Sequence, residues 1–119
     1  MSLSYIVQQG WDAVGAGDFD TLVNDYVENM MFIMPGQTDT LEGRDAFRTA
    51  LDGLGEILPP GFEITELRNL EGKNEVVSII EWKSQKIKAS QLSVLFKFKD
   101  QKIFEERWFI DTEQWKSAF

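Results

Sequence analysis

The sequence predicts an α+β fold in which three N-terminal helices pack on a curved, mostly antiparallel β-sheet. Apolar residues recur at helical spacing in the first half of the chain, and they alternate with polar residues through most of the second half. The predicted strands reach about ten residues, which is longer than usual, and we expect strands of that length to bend. The 119 residues are the size of one domain.

Three helices are predicted before the main run of strands. The apolar residues that predict the first helix, over about residues 3–16, are Leu3, Ile6, Val7, Trp11 and Val14. Asp18 is a suitable N-cap for a short second helix. The residues expected on one face of that second helix are Phe19, Leu22, Val23 and Tyr26. A third helix is predicted for residues 44–58, and Pro59-Pro60-Gly61 ends it.

The remaining segments predict strands joined by tight turns. The first strand, VENMMFIM, stops at Pro35-Gly36 and is followed by the loop QTDTLEG. The later strands are predicted for FEITELRNL, EVVSIIEWKSQ, ASQLSVLFKFK and KIFEERWFIDT, before a short C-terminal helical turn. Alternation in the last strand places Phe104, Trp108 and Ile110 on the same face as Glu106.

The net charge excludes some classes of partner. The chain has 12 basic and 20 acidic residues, for a net charge of −8. Nucleic acids and anionic membranes both require concentrated positive charge, so we expect neither as a partner. The N-terminal segment lacks the basic start and long apolar run of a signal peptide, and no apolar run is long enough to span a bilayer. We therefore expect a cytoplasmic protein.

Two missing residue types restrict the chemistry. The chain has no cysteine and no histidine. Disulfides, thiolate nucleophiles, zinc–sulfur sites and histidine-dependent triads are thereby excluded. We expect neither a cofactor nor a metal site, and any catalysis would have to rely mainly on carboxylates, tyrosines, basic residues or hydroxyls.

One predicted strand is apolar on both of its faces. In EVVSIIEWK, one alternating set contains Val76, Ile80 and Trp82, and the other contains Val77 and Ile79. A strand that is apolar on both faces is covered on both faces. The helices would cover one face, so we expect a homodimer in which a second subunit covers the other.

The order of elements, with AGDFDTLVNDYVENMMFIMPG, LEGRDAFRTAL and the final ERWFID, resembles the nuclear transport factor 2-like superfamily. Within it, the chain is most similar to the SnoaL-like group, which contains polyketide cyclases, ketosteroid isomerase and limonene epoxide hydrolase. The resemblance covers essentially the whole chain. It implies a cystatin-like, cone-shaped sheet, a deep and mostly apolar pocket, and frequent homodimers.

The catalytic residues of these relatives are not retained. In ketosteroid isomerase the residue before the strand-ending proline is an aspartate base, and the matching residue here is Met34. The tyrosine and aspartate of its oxyanion hole match Gly10 and Val94. Limonene epoxide hydrolase has an aspartate directly after the arginine of its last strand, where Arg107 is followed by Trp108 here.

Glu106 is the candidate acid–base residue. The resemblance directs its face of the last strand toward the pocket, where rings would desolvate the carboxyl group and raise its pKa. Two structural alternatives remain, because Glu106 could pair with Arg68 or Arg44, or a bulge could turn it outward. Glu81 is expected at the dimer rim or exposed to solvent.

The resemblance also implies a set of pocket-lining residues. These are Trp11, Tyr26, Phe32, Met34, Phe47, Leu51, Val94, Phe96 and Trp108. All of them are core residues first, and a buried Tyr26 could instead donate its hydroxyl to a backbone carbonyl. Methionine suits an adaptable apolar wall, so Met34 would shape the pocket.

Three functions are consistent with these observations. The chain could bind a small hydrophobic metabolite in an apolar pocket. It could be a cyclase- or isomerase-type enzyme that uses Glu106 as acid or base. It could also be a dimeric association module whose pocket is filled by Trp82, Trp108 and Met34.

Overall fold

The computed structural model describes residues 2–35 and 40–119. Its helices are α1 (Leu3–Ala16), α2 (Phe19–Val23), α3 (Arg44–Leu51), α4 (Leu54–Ile57) and α5 (Thr112–Ser117). Its strands are β1 (Tyr26–Ile33), β2 (Leu41–Glu42), β3 (Glu63–Glu71), β4 (Glu75–Lys83), β5 (Ser90–Lys99) and β6 (Lys102–Phe109). No helix within these described ranges has the length and apolar character needed to cross a membrane.

The strands form one sheet in the order β2-β1-β6-β5-β4-β3. Every neighbouring pair is antiparallel except β1 and β6, which are parallel. Helix α1 packs against β3 and β4, and α3 packs against β1. We call the sheet face toward these helices the inner face and the opposite one the outer face. The α+β fold with a mostly antiparallel sheet is thus confirmed.

The predicted third helix is divided into two. Helix α3 ends at Leu51, and α4 begins only at Leu54, so four helices precede β3 in the described residues instead of three. Glycine is among the poorest helix formers because it has the most backbone freedom to lose. Gly53 and Gly55 both lie in the part of the segment where the continuous helix was predicted, and Gly53 is the N-cap of α4.

The structure changes the end of the first predicted strand. Strand β1 ends at Ile33, and Met34 follows it. Gly36 of the predicted Pro35-Gly36 stop lies outside the described residues, as do the first three residues of the predicted loop. The rest of that loop is not all irregular, because Leu41–Glu42 forms β2 and pairs with β1.

Tyr26 belongs to β1 and not to the face of the second helix. Helix α2 ends at Val23, and Tyr26 is paired with Ile103 of β6. The backbone N–H of Ile103 donates to the Asp25 carbonyl at 2.8 Å, which ties the start of β1 to β6. The helical spacing from Leu22 suggested another turn of helix, but pairing with a distant strand outweighs that local preference.

A bulge in β6 determines which residues face inward. Phe98 is opposite Ile103, while Lys97 is opposite Glu105, so β6 has one extra residue, Phe104, between these pairs. Ile103 and Glu106 therefore both lie on the inner face. The prediction that Phe104 shares the face of Glu106 is wrong because alternation does not continue through a bulge.

The inner faces of β4 and β5 form the centre of the core. Every second residue of both strands is buried, which confirms the predicted alternation. The polar exception is Ser78, whose hydroxyl donates to Asn69 Oδ1 at 2.6 Å and accepts from Trp11 Nε1 at 3.1 Å. This pair of hydrogen bonds satisfies the buried serine and fixes the Trp11 ring of α1 over the sheet.

Candidate functional site

A cavity of about 960 Å³ lies between the helices and the inner face of the sheet. Most of the residues predicted for the pocket do line this cavity. They are Trp11, Tyr26, Phe32, Met34, Phe47, Leu51, Phe96, Glu106 and Trp108. These residues come from α1, β1, α3, β5, β6 and the residue after β1. Val94 is not among the lining residues and is completely buried opposite Ser78 and Trp108.

Some lining residues were not predicted from the sequence. Trp115 of α5 lines the cavity and packs edge-on against Trp108, with ring centroids 6.3 Å apart. Phe62, just before β3, also packs edge-on against the Trp115 ring, with centroids 5.8 Å apart. A tryptophan in a short C-terminal helix indicates that the helix packs on the core, so the sequence alone could have predicted the position of Trp115.

Aromatic side chains hold one another in place around the cavity. The Phe32 ring stacks on Phe47 with centroids 5.5 Å apart, and Tyr26 packs on the same Phe47 ring at 5.0 Å. Trp11 meets Trp108 edge-on at 6.2 Å. Such offset and edge-to-face contacts are favourable beyond the area they bury, so these rings stabilise one another at the cavity wall.

Glu106 lies at this wall with neutral hydrogen-bond partners. Its side chain is only 5% exposed. The Tyr26 hydroxyl donates to Oε1, and Trp108 Nε1 donates to Oε2 at 2.8 Å. Both donors are uncharged, so the two contacts stabilise the carboxyl group without neutralising it.

No arginine or lysine in the described part of the chain forms a salt bridge with Glu106. Arg44 donates to the backbone carbonyl of Tyr26 at 3.3 Å, and Arg68 lies opposite Ile79 on the outer face. The bulge leaves Glu106 facing inward. The structure therefore shows neither of the structural alternatives considered for this residue. The Tyr26 hydroxyl likewise bonds to Glu106 and not to a backbone carbonyl.

Burial alters the proton affinity of both groups. Desolvation raises the pKa of Glu106 above its ordinary value, and the hydrogen bonds from Tyr26 and Trp108 oppose this only in part. Burial also raises the pKa of Tyr26 well above its ordinary value, and the adjacent Glu106 carboxylate raises it further. An inward-facing carboxyl group with a raised pKa can accept or donate a proton nearer neutral pH than an exposed glutamate can.

We expect Tyr26→Phe to destabilise the protein by about 1–3 kcal/mol, because one buried oxygen of Glu106 loses its donor. The same change should raise the pKa of Glu106 further, since the Tyr26 hydrogen bond lowers that pKa. Urea denaturation and carboxyl ¹³C titration measure the two effects. Tyr5→Phe is the control, because Tyr5 is an exposed residue of α1. Equal stability of both variants would contradict the expectation.

The charged residues around the cavity are few. They are Asp12, Asp25, Glu106 and Lys116. Glu66 also borders the cavity, but its carboxyl group lies beside that of Glu81 on the outer face. Asp25 is partly buried, and desolvation raises its pKa, although the charge of Lys102 opposes the shift. Within the described residues no group of three carboxylates is arranged to hold a metal ion.

The sheet order, the helices on one face and the cavity between them match the cystatin-like fold of solved NTF2-like proteins. An NTF2-like protein from Burkholderia xenovorans superposes with a TM-score of 0.79 at 19% identity, covering 98% of this chain and 94% of that one. A Xanthomonas campestris protein of unknown function with a cystatin-like fold gives 0.82 at 21% identity, covering 99% and 97%.

A third similar structure carries an assigned activity. It is a protein from Xanthomonas campestris pv. campestris, provisionally assigned as a polyketide cyclase, with a TM-score of 0.78 at 14% identity, covering 98% of this chain and 95% of that one. Likeness at these identities shows the fold alone. No protein of curated function matches the chain. The SnoaL-like domain model matches residues 7–106, and the chain therefore belongs to the SnoaL-like family.

Proposed function

We propose that this protein binds a small hydrophobic molecule in the cavity between the helices and the inner face. The observation that carries the proposal is the cavity itself, at about 960 Å³ and lined mainly by apolar and aromatic side chains. Ligand sites typically have this size and this composition, with a few polar groups that orient the ligand. Glu106 is the buried polar group at the wall.

The positions of three side chains favour ligand binding over an association module whose pocket is filled. A filled pocket would require Trp82, Trp108 and Met34 to occupy it. Trp108 and Met34 instead line the cavity. Trp82 packs against Phe62 and Trp115, with ring centroids 5.4 Å from each. The space between the helices and the sheet is therefore left available for a ligand.

We expect Leu51→Trp to weaken binding of an apolar probe such as ethylnaphthalene by at least about tenfold, or 1.4 kcal/mol. Leu51 is a buried lining residue, and a larger ring there occupies ligand volume. Tyr5→Trp is the control, because Tyr5 is 49% exposed on α1 and lies outside both the cavity lining and the outer face of the sheet. Ligand-observed NMR measures both affinities. Equal affinities, or no binding to the wild type, would contradict the proposal.

A second candidate function is a cyclase- or isomerase-type enzyme. The raised pKa of Glu106 and its hydrogen bond to Tyr26 favour it, because both suit a general acid or base. Met34, Gly10 and Val94 stand where relatives have catalytic groups, so Glu106 would have to act without them. The fold of the Xanthomonas protein provisionally assigned as a polyketide cyclase is compatible with this activity.

The enzymatic proposal predicts a specific loss of rate. If a polyketide-like substrate is turned over, Glu106→Gln should lower the rate constant by about 10²- to 10⁴-fold, the usual contribution of a positioned acid or base. The wild-type pH–rate profile should inflect above the ordinary pKa of a glutamate. A variant that retains the full rate would remove Glu106 from the mechanism.

We also propose that a second copy of the chain covers the outer face of the sheet. An apolar patch crosses that face, formed by Leu70, Val77, Ile79 and Leu95. Val77 is at its centre, opposite Leu70 on one side and Leu95 on the other. A contiguous apolar patch on a sheet face is typical of an interface.

The charges around this patch complement each other. Glu66, Glu81 and Arg68 lie on the β3–β4 side and have a formal net charge of −1. Lys97, Arg107 and Glu105 lie on the β5–β6 side, where both cations contact Glu105, and have a formal net charge of +1. A two-fold axis parallel to the strands would bring the acidic side of one copy onto the basic side of the other, which makes the face self-complementary.

A further inference from the structure

Building on the proposed ligand cavity, we propose that the ligand carries a protonated amine, which the Glu106 carboxylate binds while the surrounding rings contact its apolar part. Three features of the cavity support this assignment: the partners of Glu106, the charges at the lining and the position of the Trp108 ring.

Glu106 has hydrogen-bonding capacity that the described residues do not use. Each carboxylate oxygen can accept about two hydrogen bonds. Oε1 accepts one from Tyr26, and Oε2 accepts one from Trp108. A buried carboxylate that lacks a cation is unfavourable, and a ligand ammonium would provide both the opposite charge and the further donors.

The charges at the cavity favour a cation over an anion. Among the described lining residues the one basic side chain is Lys116, which is exposed. Asp25 adds a partly buried carboxyl group at the lining. An anionic ligand would find no buried cation there and would face Glu106. The net charge of −8 also attracts cations to the protein over longer distances.

The Trp108 ring lies beside the same carboxyl group and is positioned to contact the apolar part of the ligand. Its Nε1–H donates to Glu106 at 2.8 Å, so the indole and the carboxyl group are adjacent at the cavity wall. Trp11 meets Trp108 edge-on, and Phe32 lies 6.4 Å from Trp108 between centroids. Because the Nε1–H bond directs the edge of the Trp108 ring at the carboxyl group, the rings of Trp108, Trp11 and Phe32 would contact the apolar part of the ligand while the carboxylate binds the ammonium group.

Four naphthalene derivatives of similar size test this proposal. They are naphthylmethylamine, naphthylmethanol, ethylnaphthalene and naphthylacetate, titrated into the full chain by calorimetry at neutral pH. We expect the amine to bind at least tenfold more tightly than ethylnaphthalene, and the acetate to bind most weakly. In Glu106→Gln, the affinity of the amine should fall to that of ethylnaphthalene. Glu75→Gln, an equal change of charge at an exposed residue outside the lining, should keep the full preference.

The outcomes separate this proposal from the binding function on which it rests. If none of the four probes binds the wild type, the cavity function fails and this proposal fails with it. If ethylnaphthalene binds and the amine has no advantage, the amine proposal alone is overturned. The amine proposal is also overturned if the alcohol binds as tightly as the amine. It is overturned as well if the amine still binds more tightly than ethylnaphthalene in Glu106→Gln.

A measurement on the wild type makes the test independent of the folding of the variant. In a ¹³C pH titration of the Glu106 carboxyl group, saturating amine should lower the pKa of Glu106, and ethylnaphthalene should not. An unchanged pKa in the presence of saturating amine would overturn the proposal.

Discussion

The free energy of unfolding of the wild type should fall relative to that of Glu106→Gln as pH rises above the ordinary pKa of a glutamate. In the folded protein, burial raises the pKa of Glu106. Between the unfolded and folded pKa values, the folded state therefore binds more protons than the unfolded state. Stability decreases with pH wherever the folded state holds the extra proton.

The difference in proton binding between the folded and unfolded states also sets the size of this effect and the pH range in which it occurs. The difference between wild type and variant should change by at most about 1.4 kcal/mol per pH unit within that window. It should be constant at lower pH, where the carboxyl group is protonated in both states. Asp25 also has a raised pKa, but Glu106 does not contribute to that shift, so Asp25 cancels in the difference. The pKa of Tyr26 is raised well above its ordinary value, so Tyr26 stays protonated throughout this pH window.

Urea denaturation at closely spaced pH values measures this difference. Glu71→Gln is a control for which the stability difference should change with pH in the opposite direction. The reason is that a hydrogen bond from the backbone N–H of Ser4 lowers the pKa of Glu71. The wild type should gain stability relative to Glu71→Gln as pH rises through the acid range. A difference for Glu106→Gln that stays flat would show that burial does not shift the pKa of Glu106, and one that rises with pH would show that folding lowers it. Either result would contradict the expectation.

Val77→Arg should convert the protein from a dimer to a monomer. Val77 lies at the centre of the apolar patch on the outer face, so in the proposed dimer an arginine there places charges of like sign near the two-fold axis. The monomer should still fold, because Val77 is only partly buried within one chain and a long arginine side chain can extend into solvent.

Light scattering after size exclusion measures the mass directly, and a single chain has a mass of 13.7 kDa. The wild type should give twice this mass, and Val77→Arg should give the mass of one chain with an unchanged circular dichroism spectrum. Gln9→Arg introduces the same side chain at an exposed position of α1, away from the sheet, and should remain dimeric. A monomeric wild type, or a dimeric Val77→Arg, would contradict the proposed interface.

The sequence by itself determined the α+β class and most element positions. Helical spacing predicted α1 with the bounds that the structure shows, and alternation correctly predicted the buried faces of β4 and β5. These properties depend on local periodicity, which is written directly in the order of residues. The family resemblance, carried by motifs along the chain, was confirmed for residues 7–106.

The tertiary structure alone decided the details of the candidate site. Tyr26 lies in β1 and not in the predicted second helix, because it pairs with Ile103, a residue 77 positions further along the chain. The bulge at Phe104 arises from the register of β5 against β6, and no periodicity reveals it. Only the packed fold brings the Tyr26 hydroxyl and the Trp108 indole to the same carboxyl group, that of Glu106. Only the packed fold also shows that Glu106 forms no salt bridge with a described residue. Contacts between distant segments depend on how whole elements pack, and local residue patterns carry no information on that geometry.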